Sequence, residues 1–141
     1  MLAIMAATWV NPYLCFRDST REVMSFYHSI FGGELDMTTF GEFGAAESPE
    51  QENLIMHSHL ETADGWTFMA SDAGNDFHPE TSIDLAIGAA ASELGRVTGW
   101  FDALAVGGAV IMPLTTAPWG DTFGRVQDRF GVRWMFNIAG E

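Results

Sequence analysis

The stretches REVMSFYHSIFGGELDM, residues 21–37, and RVTGWFDALAVGGAVIM, residues 96–112, decide the fold. Laid over one another at an offset of 75 residues, Arg21, Phe26, Gly32, Gly33 and Met37 meet the identical Arg96, Phe101, Gly107, Gly108 and Met112, and Leu35 meets Val110. Each Gly-Gly pair closes a segment with helical apolar spacing: Val23, Phe26, Tyr27, Ile30 and Phe31 in the first, Leu94, Val97, Phe101, Leu104 and Ala105 in the second. Glycine ends a helix because it adopts the left-handed conformation without a Cβ penalty. Ser19 followed by Glu22 reads as a capping box and places the first helix start at 18–20.

Outward from the helices, strand-like runs cover 8–16, 34–40, 53–61 and 66–71 in the first half, and 82–87, 109–115, 121–127 and 132–138 in the second. Ala63-Asp64-Gly65 and Asp128-Arg129-Phe130-Gly131 read as hairpin turns. The order strand, helix, three strands therefore occurs twice. From Gly33 to Met69 takes 36 residues, and from Gly108 to Met135 takes 27. The acidic loop 41–52, carrying Glu42, Glu47, Glu50 and Glu52, accounts for that difference as an insertion. The expectation is one α+β domain over 1–141, with tandem βαβββ units at about 8–71 and 82–138 and a connector at 72–81. Units too small to cover their own sheets pack together, giving a curved mixed sheet around a concave cavity.

Composition narrows the partners. The chain has 141 residues, 48% of them hydrophobic, and 19 acids against six arginines give a net charge of −13. Long-range repulsion argues against nucleic acid and against an anionic membrane surface as partners. If charge matters to a ligand, that global balance favours a cation over an anion such as a phosphonate. One cysteine, Cys15, excludes an internal disulfide and multi-cysteine metal sites, and fits a reducing cytoplasm. The apolar start MLAIMAATWV meets Asn11-Pro12 well short of the roughly 20 residues of a membrane helix, and no targeting signal is read.

The double unit, Asn11-Pro12-Tyr13-Leu14, the Gly32-Gly33 stop, Met69-Ala70-Ser71-Asp72, and Asp128-Arg129-Phe130-Gly131-Val132 with Trp134 resemble the PhnB-like branch of the vicinal oxygen chelate superfamily, which also holds glyoxalase, bleomycin-resistance and dioxygenase proteins. The resemblance spans about 10–138. It implies the vicinal oxygen chelate fold, frequent homodimers and, in metal-using relatives, a divalent ion held by His, Gln or Glu from the first and last strands of both units. The matching positions fall near Asn11, Met69, Ser82 and Met135. Neutral amide and hydroxyl oxygens hold such ions weakly, and thioethers do not suit a hard ion, so the expectation is no metal cofactor. Branch members often carry a demethylubiquinone methyltransferase description, but no strand here is followed by a Gly-rich turn suited to a nucleotide-like cofactor.

The residues themselves supply further candidates. His57 and His59, two apart on a strand, share a face and form the alternative anchor for one divalent metal ion. The local sequence offers no third ligand, which would have to come in space from Asp72, Asp84 or His78; the competing reading is one histidine bonded to a neighbour and one in solvent. Cys15 shares strand parity with Asn11 and Tyr13, and is read as a buried small hydrophobe because no Cys-His-acid set is visible. Trp119, in Pro118-Trp119-Gly120-Asp121, is a candidate stacking ring, in company with Tyr13, Trp100, Phe123 and Trp134, some of which pack between sheet and helix. Met37, Met56, Met69, Met112 and Met135 suit an adaptable apolar pocket, though core packing explains most. Asp128 and Arg129 read as turn chemistry and surface ion pairing.

The leading functional reading is a small-molecule-binding protein, without the usual metal, holding an apolar or aromatic ligand through Asn11, Tyr13, His57, His59, Met69, Ser82, Trp119 and Met135. No catalytic residue is assigned, and whether a reaction occurs stays open. The alternatives are a metal-dependent lyase, isomerase or dioxygenase using His57 and His59, and a noncatalytic dimeric interaction module in which the apolar segment up to Trp9 covers a partner.

Overall fold

Alternating apolar residues and glycine-stopped amphipathic segments fold here as strands and helices in the expected order. The computed structural model describes residues 10–74 and 83–141. The elements are β1 (Tyr13–Phe16), α1 (Thr20–Phe31), β2 (Glu34–Thr39), β3 (Ile55–Glu61), β4 (Thr67–Asp72), β5 (Leu85–Ala89), α2 (Leu94–Ala105), β6 (Ala109–Thr116), β7 (Thr122–Gln127) and β8 (Arg133–Ile138). Two four-stranded sheets result, ordered β1-β4-β3-β2 and β5-β8-β7-β6. β1 runs parallel to β4 and β5 parallel to β8, and the remaining pairs are antiparallel. The fold is thus α+β, a βαβββ arrangement made twice, and the chain divides into two units, Met1–Glu80 and Thr81–Glu141. Among the described residues no helix is long and apolar enough to cross a membrane.

In the first unit α1 lies against β2, β3 and β4. Its buried stripe, Val23, Met24, Tyr27 and Phe31, meets the inward row Phe16, Leu60, Phe68 and Ala70. The Tyr27 and Phe68 rings are 5.9 Å apart between centroids. Each such side chain removed from water contributes about 1.5–3 kcal/mol. The helix stops where expected, at Gly32 with φ 68°. Its start differs. Ser19 occupies the N-cap position but makes no side-chain cap hydrogen bond. Instead Asp72, buried at the end of β4, accepts the Thr20 N–H through Oδ1 at 2.9 Å and the Ile55 N–H through Oδ2 at 2.8 Å. A carboxylate from a distant strand satisfies the orphan donor more strongly than a neutral hydroxyl does. The strand therefore runs through Asp72 rather than yielding to a connector there.

In the second unit α2 presents Val97, Phe101 and Leu104 to a row comprising Val126, Trp134, Phe136 and Ile138. Phe101 and Phe136 meet edge-on with centroids 5.3 Å apart. Asp128 is buried, accepting N–H groups from Phe130 and Val132 through Oδ1 and the Trp134 indole N–H through Oδ2 at 3.0 Å. Its turn chemistry is as expected, but its carboxylate sits inside the hairpin rather than at the surface, and Trp134 is a core residue.

Candidate functional site

Because strand residues alternate faces, the helix on one side of each sheet leaves the other side as the open face. In the first unit this face carries Tyr13 and Cys15 from β1, Met69 and Ser71 from β4, His57 and His59 from β3, and Asp36 and Thr38 from β2. One row across it is Tyr13, Met69, His59, Asp36, all directly paired. Tyr13 is 49% exposed, and its hydroxyl lies 3.4 Å from His57 Nδ1. The expected shared face of His57 and His59 is present, and Tyr13 and Met69 join them. Cys15 is exposed, not buried, because its parity points it away from α1. Asn11 precedes β1, half-buried, and its amide donates to the Pro12 carbonyl at 3.1 Å. Ser82 lies outside the described residues, as do His78 and the segment up to Trp9.

The second unit repeats the arrangement with different chemistry. Met135 holds the position of Met69, opposite Ala86 and Arg125 instead of Tyr13 and His59. Beside it Phe123 pairs with Asn137 and Gln127 with Arg133. Trp119, 61% exposed, donates its indole N–H to Asn137 Oδ1 at 3.2 Å and stands edge-on to Phe123 with centroids 5.6 Å apart. Asn137 Nδ2 in turn donates to Asp121 Oδ2 at 2.9 Å. This relay fixes the exposed indole on the loop before β7. Trp100 stands apart from these rings, on α2, with the Arg96 guanidinium 4.8 Å from its ring centroid.

The relay also tunes Asp121. The Asn137 amide, and after it the Gly140 N–H, hold its carboxyl below the ordinary value of 3.8, against a small opposing effect of burial. A depressed folded-state value stabilises the fold above the unfolded-state value, and that contribution vanishes as pH falls through the folded one. In a carbon-detected NMR titration Asp121 is expected to titrate below 3.8, and Asn137→Ala to move it back toward that value; an unmoved midpoint in the variant would disprove the relay.

The divalent ion implied by the superfamily meets donors that do not fit. Met69 and Met135, the positions that the resemblance matches to metal ligands on β4 and β8, carry thioethers, which do not replace the oxygen shell of a hard ion. His57 and His59 share a face, yet among the described residues no three His, Cys, Asp or Glu side chains converge to hold a metal. Asp84, a candidate third ligand for the histidine pair in the sequence, lies instead with Arg125 and Arg133, a grouping the sequence reading missed. Arg125 holds the register of His59, and both arginines reach Asp84, which precedes β5, the strand beside β8.

Tandem βαβββ units, each with a helix on one sheet face and chemically varied side chains on the other, define a protein of the vicinal oxygen chelate superfamily, and the FosX fosfomycin resistance protein of Listeria monocytogenes shares the fold (TM-score 0.63, 14% identity over 97% of this chain and 96% of that one). Within it the chain belongs to the PhnB-like family whose model is described as 3-demethylubiquinone-9 3-methyltransferase, matched over residues 8–137. It is 30% identical to Protein YjdN of Escherichia coli (strain K12), covering 92% of this chain and 95% of that one. The crystal structure of PA1353 from Pseudomonas aeruginosa superposes with a TM-score of 0.76 at 34% identity over 96% of this chain and all of that one. The PhnB protein of Bacillus cereus does so with a TM-score of 0.73 at 26% identity, over 94% and 100% of the two chains.

Proposed function

We propose that this protein binds a small apolar or aromatic molecule on its open sheet faces, without the superfamily's divalent ion. The observation that carries the reading is the contrast between faces. Positions under the helices are filled by buried aliphatic and aromatic side chains, whereas the opposite faces leave Tyr13 and Trp119 exposed beside Met69, Phe123 and Met135. Exposed aromatic rings fixed by hydrogen bonds, next to flexible thioethers, suit a planar apolar ligand. Methyl transfer is left out of the proposal: the connectors 17–19 and 90–93 contain no glycine with which a strand-to-helix turn would cradle a nucleotide-like methyl donor.

Calorimetric titration of the full chain with a panel of planar aromatic compounds tests the reading. Saturable binding is expected, weakened about tenfold by Trp119→Ala through loss of a stacking ring. No binding by any member would overturn it. Elemental analysis of protein purified without chelators is expected to show no stoichiometric divalent metal. One ion per chain, lost in His57→Ala or His59→Ala, would instead favour the metal-dependent lyase, isomerase or dioxygenase reading.

The protein is further proposed to work as a cytoplasmic homodimer. β6 is an edge strand whose Val110, Ile111 and Met112 are all exposed, an apolar edge of the kind partners cover. Sedimentation is expected to give twice the chain mass; a monomer at all concentrations would remove the dimer from the proposal.

A further inference from the structure

The open face of the second sheet is not uniform. Along the β7–β8 ladder the pair Phe123/Asn137 lies at one end, Arg125/Met135 in the middle, and Gln127/Arg133 at the other. Trp119 stands over the first of these. Four residues of strand separate the ends, about 13 Å. The face thus passes from aromatic, through thioether, to guanidinium within the length of a small molecule.

The basic end is charged and incompletely satisfied. Arg125 donates through Nη2 to Asp84 Oδ2, and Arg133 Nε lies 3.7 Å from Asp84 Oδ1. Among the described residues two cations share one carboxylate, so this cluster is net positive in a chain whose net charge is −13. The side chains of Arg125 and Asp84 are only 25% and 16% exposed, so bulk water screens them poorly. The Nε atoms of both arginines are buried and lack a hydrogen-bond partner among the described residues. Guanidinium presents five N–H donors in a planar fork, and one carboxylate cannot satisfy two forks. Unmet buried donors are costly, and the group that matches them is an oxyanion. The expectation from global charge, that a cation suits the protein better than an anion, does not hold at this place.

We infer that Arg125 and Arg133 form a carboxylate-binding site, and that the ligand of this face is an aromatic acid, its ring on Trp119 and Phe123 and its carboxylate on the two guanidiniums. The inference rests on the open face being a ligand surface. Asp84 positions the arginines and at the same time competes with the ligand for their donors.

The test is calorimetric titration of the full chain with 2-naphthoate and with 2-naphthamide, which keeps the ring and removes the charge. Naphthoate is expected to bind at least about tenfold more tightly. Arg125→Gln and Arg133→Gln should each weaken naphthoate by a similar factor and leave naphthamide unchanged. Asp84→Asn should tighten naphthoate, a gain that a misfolded variant cannot produce, with circular dichroism confirming the fold of each variant. Equal binding of acid and amide, or naphthoate affinity indifferent to both arginine variants, would overturn the carboxylate site while leaving the apolar-ligand reading standing. Binding of neither compound would overturn both.

Discussion

Gly33→Ala is expected to abolish the fold of the first unit, with a loss of at least about 4 kcal/mol, the range reserved for backbone collisions and core cavities. A Cβ on Gly33 would lie 1.9 Å from the Glu61 carbonyl oxygen and 2.7 Å from both the Thr62 carbonyl carbon and Cα. Those are backbone atoms at the end of β3, so no side-chain rotation relieves the overlap. Moving them means separating α1 and β2 from the β3–β4 hairpin. The residue also has φ 94°, where an L side chain costs a further 1–2 kcal/mol or so. Gly65→Ala isolates that conformational component, because Gly65 has φ 93° but nothing within 4 Å of a Cβ. Urea denaturation followed by tryptophan fluorescence should therefore show a small shift for Gly65→Ala and no folded baseline for Gly33→Ala. Equal shifts would mean that the Gly-Gly pair serves helix termination alone. Gly108 makes the same approach in the second unit, with a Cβ 2.1 Å from the Gln127 carbonyl oxygen, so Gly108→Ala should act likewise there.

This close approach explains why the repeat was so legible. Gly-Gly survives in both halves because the first glycine turns the chain left-handed and the second admits a crossing backbone, two demands no other residue meets. Strand parity was legible for a related reason: one side of each strand must be apolar to meet a helix, so His57 and His59 fall on one face once Leu60 and Ser58 are placed on the other. What parity does not encode is whether the second face is covered. Cys15 was placed on the right side and given the wrong exposure for that reason. The first-strand metal positions were less legible: Met69 pairs with Tyr13 and Met135 with Ala86, so the residue matching Asn11 in the second unit is Asp84 rather than Ser82. The basic site was not legible, since Arg125 and Arg133 come from β7 and β8 and Asp84 from the residue before β5, and only the pairing of those strands brings eight and 41 residues of separation down to a shared carboxylate.

Asp72→Ala is expected to cost about 3–5 kcal/mol, against the 5–15 kcal/mol by which a domain of this size is stable. Its carboxylate is 5% exposed and joins the first amide of α1 to the first amide of β3. Truncation leaves two buried N–H donors unsatisfied, at about 1–3 kcal/mol each, and removes the helix N-cap, whose value of about 1 kcal/mol overlaps with the first of them. It also removes a negative charge from the positive end of the helix dipole. Asp72→Asn should cost less, about 2 kcal/mol, because its oxygen still accepts from one amide while its NH2 faces the other. Ser19→Ala supplies the contrast. The sequence makes Ser19 the cap, yet its hydroxyl makes no cap hydrogen bond, so its loss should stay within about 0.5 kcal/mol. Denaturant midpoints rank the three variants, and hydrogen exchange at the Thr20 and Ile55 amides should accelerate in both Asp72 variants and remain unchanged in Ser19→Ala. The reverse ranking would return the cap to Ser19 and leave the buried carboxylate without its structural role.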